Sequence, residues 1–169
     1  MRQRLRLTST LALAGLLAAT GPAAALPAVA ATAPAVTAVP AATKPPVTNA
    51  DASEKTILQR TNALRSGAGK RPLVRSAKMD AVAAAWATRM ATTGDFRHNP
   101  SFSRQIPSGW RMAGENIAMN STSGVTLYTQ WKNSAPHRAN MLNASYNRIG
   151  IGAVKVGNRY YGVQVFGAY

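Results

Sequence analysis

Two histidines, His98 and His137, are the only imidazoles in this 169-residue chain, and one acid, Glu115, falls between them. Two imidazoles and a carboxylate are donors that hold a divalent ion, zinc above all. A metal so held can activate water, with the carboxylate as general base. The short-range form of the signature, two histidines one helical turn apart, is absent. Spacing alone therefore leaves two readings open: a composite site, or three unrelated surface residues. Ser134 lies three positions before His137. That raises a nucleophile–base pair, but a helix N-cap accounts for the serine without catalysis.

The elements that must carry these residues follow from periodicity and breakers. Residues 53–66 are predicted as a helix capped by Ser53, with Ile57, Leu58, Thr61 and Leu64 on one stripe. Ser76 opens a second helix to about Thr93, with Met79, Val82, Ala83, Trp86 and Met90 on its apolar face, and Gly94 ends it. His98 falls in a long loop, 95–111, and Glu115 begins a short strand to Met119. Residues 123–132 are predicted helical, and Ser134 is expected to cap a further helix through Leu142. His137 is then its third residue, where the positive end of the helix dipole favours a neutral ring. Arg148–Val156 and Arg159–Phe166 read as a hairpin around Gly157-Asn158. Ile149, Ile151 and Ala153 share one face of it, while Gly150 and Gly152 leave the other nearly bare. Helices followed by a hairpin make an α+β pattern.

The N-terminus has a separate character. Arg2, Arg4 and Arg6 precede an apolar run from Leu11 to Ala19, Gly21-Pro22 breaks it, and small-residue exits follow at Ala25 and Ala30. This is the pattern of a secretory signal peptide, 1–30, cleaved after Ala25 or Ala30. A membrane anchor would need ~20 apolar residues, so no transmembrane segment is expected in the mature chain. Residues 31–50 are almost wholly Ala, Pro, Thr and Val and read as a linker, either a tether or a plain tail. Residues 51–169 suffice for one domain.

Composition narrows the chemistry. The chain has no cysteine, which excludes a disulfide framework, a thiol nucleophile and a cysteine zinc site. Residues 51–169 carry sixteen Lys and Arg against five acids (Asp51, Glu54, Asp80, Asp95 and Glu115), a net of +11. That surface attracts polyanions. The basic residues are scattered, with no run longer than Lys70-Arg71, so no specific nucleic-acid site is expected.

Four ordered blocks carry a resemblance. They are Phe96-Arg97-His98-Asn99-Pro100, Gly114-Glu115-Asn116-Ile117-Ala118, residues Trp131 to Leu142 with His137 at their centre, and Tyr146 to Gly152 continuing to Tyr160–Phe166. Together they resemble the bacterial branch of the CAP, or SCP, superfamily. Asn62, Arg65 and Gly69 to Leu73 are similar to its first helix and exit. The resemblance implies a three-layer α-β-α sandwich with a central antiparallel sheet, and a cleft lined by His98, His137 and Glu115. A second acid common in the family corresponds here to Ser134. The family likeness implies a secreted, non-enzymatic binding module, with zinc on His98 and His137 and Glu115 as a further ligand or a supporting partner. Its expected ligands are extracellular lipid, sterol or an anionic cell-envelope polymer. The alternatives are a metal-dependent hydrolase, peptidase- or nuclease-like, with Glu115 and His137 catalytic, and a basic polyanion-binding effector. Oligomeric state is left open.

Overall fold

A computed structural model describes residues 46–169. The predicted signal peptide, with both cleavage sites, Ala25 and Ala30, and most of the 31–50 linker lie outside the described residues. The linker's last residues do not: Val47–Asn49 form strand β1, antiparallel to β4 with Val47 opposite Val156. Helix α1 (Asp51–Gly67) follows, then β2 (Val74–Arg75), α2 (Ala77–Thr93), the short α3 (Phe102–Gln105) and β3 (Met112–Asn120). Helices α4 (Gly124–Asn133) and α5 (Ala135–Leu142) precede the hairpin β4 (Arg148–Val156) and β5 (Arg159–Ala168).

The strands form one sheet in the order β1-β4-β5-β3, with β2 parallel to the far end of β4. The two hairpin strands alternate cleanly, and each of their faces has its own core. On one face Ile149, Ile151, Ala153 and Phe166 pack with Ile57 of α1, Leu127 and Trp131 of α4 and Met141 of α5. On the other, Val154, Val163 and Val165 pack with Met79, Ala83, Ala87 and Met90 of α2. This is the predicted α-β-α sandwich, with α1, α4 and α5 above the sheet and α2 below. Burial of each large apolar side chain contributes about 1.5–3 kcal/mol, enough to hold a domain that has no disulfide.

The bare face of β4 explains how close α2 comes. A Cβ on Gly150 would stand 2.2 Å from the Met79 carbonyl carbon, and one on Gly152 2.2 Å from the Ala84 nitrogen. The helix backbone therefore rests on the strand backbone. Gly94 adopts φ 75° and closes α2 in a left-handed cap.

Strand β4 has an unusual outer edge. β1 covers residues 154–156 and β2 covers 148–149, leaving a gap between them. Two carboxylates fill it: Asp80 of α2 accepts from the Ile151 N–H at 2.8 Å and Glu54 of α1 from the Ala153 N–H at 3.0 Å. Arg75 of β2 pairs with both acids, so one guanidinium links helices from opposite faces of the sheet. Near the end of α1, Arg65 is wholly buried, donating to the Arg71, Met141, Asn143 and Tyr146 carbonyls.

Helix starts differ from expectation in their capping chemistry. α1 begins at Asp51, with Ser53 inside it. Ser76 and Ser134 occupy N-cap positions, but neither hydroxyl makes a capping bond. Among the described helices only Ser123 does, accepting from the Thr126 N–H at 3.1 Å.

Candidate functional site

Glu115 sits in the middle of β3, paired across the sheet with Val165, and its side chain is 2% exposed. A carboxylate so placed needs hydrogen bonds. Its Oε1 accepts from the Asn99 N–H at 3.0 Å and meets His98 Nδ1 at 2.6 Å. The other oxygen, Oε2, is buried with no protein partner. Burial pushes the Glu115 pKa up, opposed by the Asn99 N–H and then by His98.

The loop that delivers His98 is held at several points. Asn99 is 3% exposed; its Oδ1 accepts from the Ser101 N–H and its Nδ2 donates to Gln105. Trp86, predicted as part of the α2 apolar face, is half-buried and donates its indole N–H to the Arg97 carbonyl at 2.8 Å. It therefore pins the histidine loop to the helix. The His98 side chain itself is 59% exposed. With Nδ1 turned to Glu115, Nε2 is the nitrogen left to face solvent or a ligand.

His137 is the third residue of α5, as predicted. Its pKa is lowered, and the causes are burial first and the nearby charge of His98 second. The helix dipole was the expected cause; the outcome, a ring favoured in its neutral form, is the same. Of the three predicted site residues, His98 and Glu115 are in direct contact, and His137 on α5 is tied through its main-chain carbonyl to Asn116, the strand neighbour of Glu115.

A cavity of about 370 Å³ opens beside His137, walled by Phe96, Ile117, Met119, Gln130 and Ser134. Ser134 shares this wall with His137, yet no hydrogen bond joins them among the described residues. Neither His98 nor Glu115 lines the cavity. Among the described residues, no three His, Cys, Asp or Glu side chains are gathered into a ready metal cage. Glu115 meets His98 at Nδ1 and so orients that ring.

Under the site runs a buried amide network that charge and histidine counting missed. Asn116 donates to the His137 carbonyl and to Gln164 Oε1, both at 3.0 Å. Asn140 donates to Asn116 Oδ1 at 2.9 Å and to the Glu115 carbonyl at 3.3 Å. Gln164 reaches Thr61 at 3.2 Å. The network fixes α5, β3, β5 and α1 relative to one another. Asn116 and Asn140 stand within the blocks quoted above, but nothing local marks Gln164 or Thr61 as their partners.

The profile of the family described as CAP: Cysteine-rich secretory protein family matches residues 58–166. The chain is 30% identical over 118 residues to the uncharacterized protein YkwD of Bacillus subtilis (strain 168), covering 66% of this chain and 46% of that protein. The chain spans less than half the length of the curated relatives it matches. Among solved structures, it is similar to an extracellular protein containing an SCP domain from Bacillus anthracis str. Ames (TM-score 0.62, 27% identity, 70% of this chain and 41% of that one). It shares its fold with NaASP2, solved with Zn2+ (TM-score 0.54, 16% identity, 70% and 80% covered).

Proposed function

The chain belongs to the CAP, cysteine-rich secretory protein, family, and from that premise we propose that it is an extracellular binding module whose cleft takes zinc on His98 and His137. The observation that carries this reading is the Glu115–His98 pair. A carboxylate 2% exposed holds Nδ1 of an imidazole that is 59% exposed. Carboxylate behind histidine is the arrangement that fixes the tautomer and raises the basicity of a metal-binding nitrogen. The lowered pKa of His137 keeps the second imidazole neutral, the form a metal requires.

Two protein nitrogens leave coordination positions for water or for an oxygen of a bound ligand. Zinc in this reading is part of the ligand-binding surface, and the cavity beside His137 receives the rest of the ligand. A lipid, a sterol or an envelope polymer suits its mixed wall. Secretion is supported by the residue pattern of the N-terminus and by the solved relative described as extracellular. The zinc-bearing fold relative supports the choice of ion.

Calorimetric titration of the full chain with zinc near neutral pH tests this. Uptake is expected, with His98→Ala and His137→Ala each weakening it by more than about tenfold. Glu115→Gln is expected to weaken it roughly ten- to a hundredfold while the protein still melts cooperatively. No uptake, or uptake unchanged in both histidine variants, would remove the metal from the proposal.

A further inference from the structure

A second pocket lies elsewhere among the described residues. It measures about 610 Å³ and lies where β2, the start of β3, the turn before β4 and the end of β5 meet. No histidine and no acidic side chain lines it, but three arginines do: Arg71, Arg111 and Arg148.

The ion pairs of the described residues lie away from it. Glu54 and Asp80 bind Arg75, Asp95 binds Arg89 and Arg97, and Glu115 binds His98. The pocket's three guanidinium groups have no carboxylate side chain among the described residues. Arg111 reaches the carboxyl oxygen of Tyr169, the last residue of the sequence, and Arg148 the main-chain oxygen of Asn147, each only at 3.4 Å. Asn147 and Tyr169 are themselves locked together, Nδ2 to main-chain oxygen at 2.7 Å and N–H to Oδ1 at 3.0 Å. Two cationic heads are thereby set over one rigid patch, with most of their hydrogen-bonding capacity unused.

The rest of the wall has the opposite chemistry. Val74 is 54% exposed and Met112 42%, and both line this pocket. They are two of the four large apolar side chains that stand exposed among the described residues. Exposed apolar surface beside guanidinium groups that have no acidic side-chain partner among the described residues is the surface an amphiphilic anion would cover.

We propose that this pocket is an anion site, separate from the histidine cleft, for an organophosphate carrying a short apolar portion. Several guanidinium forks suit the several oxygens of one phosphoryl group, which they bind in charge-assisted pairs. The adjoining carbon chain lies over Val74 and Met112. The volume is in the range of small-ligand sites. A phospholipid head group and a phosphodiester unit of an envelope polymer share this chemistry.

Titration of the full chain at low ionic strength with glycerol 3-phosphate, and with dihexanoyl phosphatidylglycerol below its micelle-forming concentration, tests the assignment. Both are expected to bind. Arg71→Gln/Arg111→Gln, at two exposed positions, is expected to weaken both roughly tenfold or more. Lys55→Gln/Arg159→Gln, which removes the same charge elsewhere, is expected to leave both within about twofold. If the lipid binds tighter than its head group and Val74→Ser/Met112→Ser erases the difference, the site takes a lipid. Equal affinities support the phosphate site with a polymer as its source. Absence of binding, or equal weakening in the control variant, overturns the proposal: the second result would mean a diffuse basic surface without a pocket.

Discussion

Asn116 has no charge and is fully buried, yet it ties the backbone of His137 to the strand that carries Glu115. Its amide supports the His137 carbonyl, while its neighbour Glu115 holds His98. Removing the side chain leaves Gln164, Asn140 and a main-chain carbonyl short of partners in a dry interior. Asn116→Ala is therefore expected to destabilise the domain by about 2–4 kcal/mol, several lost hydrogen bonds rather than one. Urea unfolding measures it; a loss below about 1 kcal/mol would mean that water takes over the network. The histidines and Glu115 were visible in the sequence as types, but not as a site. Sixteen residues, including α3 and the start of β3, separate His98 from Glu115, and no local period spans that distance; only the resemblance of ordered blocks joined them. The amides were harder to see, because Asn116 and Gln164 meet only through strand register.

Elements were legible where a period and a breaker coincide. The β4–β5 hairpin is marked by alternation and by Gly157-Asn158, and α2 by its alanines and Gly94. Their ends were less so: three serines suggested caps, and none of their hydroxyls caps a helix. Strand β1 was missed because Val47–Asn49 look like the linker before them. What makes them a strand is β4, more than a hundred residues away in the chain. The bare glycine face, in contrast, was legible and is now explained by the seat of α2. Gly152→Ala would place a methyl 2.2 Å from the Ala84 nitrogen and 2.4 Å from the Ala83 carbonyl carbon. Backbone cannot yield as a side chain can, so a loss of about 1–3 kcal/mol or more is expected. Guanidinium unfolding measures it; a neutral result would mean that α2 floats free of the sheet.

At the scale of the whole molecule, the five acids are used sparingly and mostly internally, which leaves the basic excess at the surface. Glu54 shows the cost. Burial raises its pKa, against the Ala153 N–H and then Arg75, which lower it. For Arg75 burial opposes the charge, but Asp80 and then Glu54 prevail, and its pKa is raised. The two shifts point in opposite directions as measures of the pair: Arg75 gains from two acids, whereas Glu54 shares one guanidinium and bears the burial. A raised folded pKa means that the folded state binds its proton more tightly. This group's contribution to stability therefore declines as pH rises from the ordinary carboxylate range through the raised value, and is level above it. Glu54→Gln retains an acceptor for Ala153 and removes that decline. Melting temperatures of both proteins from about pH 4 to neutrality test it; parallel curves would show that Glu54 titrates normally.

The two carboxylates on β4 also bear on how copies of the chain meet. An uncovered stretch of strand offers its N–H groups to any extended segment that drifts by, and pairing of that kind grows into insoluble assemblies. Here the vacant stretch between β1 and β2 is stoppered by acids that already accept from its N–H groups. A third flanking strand would have closed the gap as well. Side chains close it without adding a new edge of their own, so the sheet ends there, and a crowded solution of this protein finds no place at that point to add another strand.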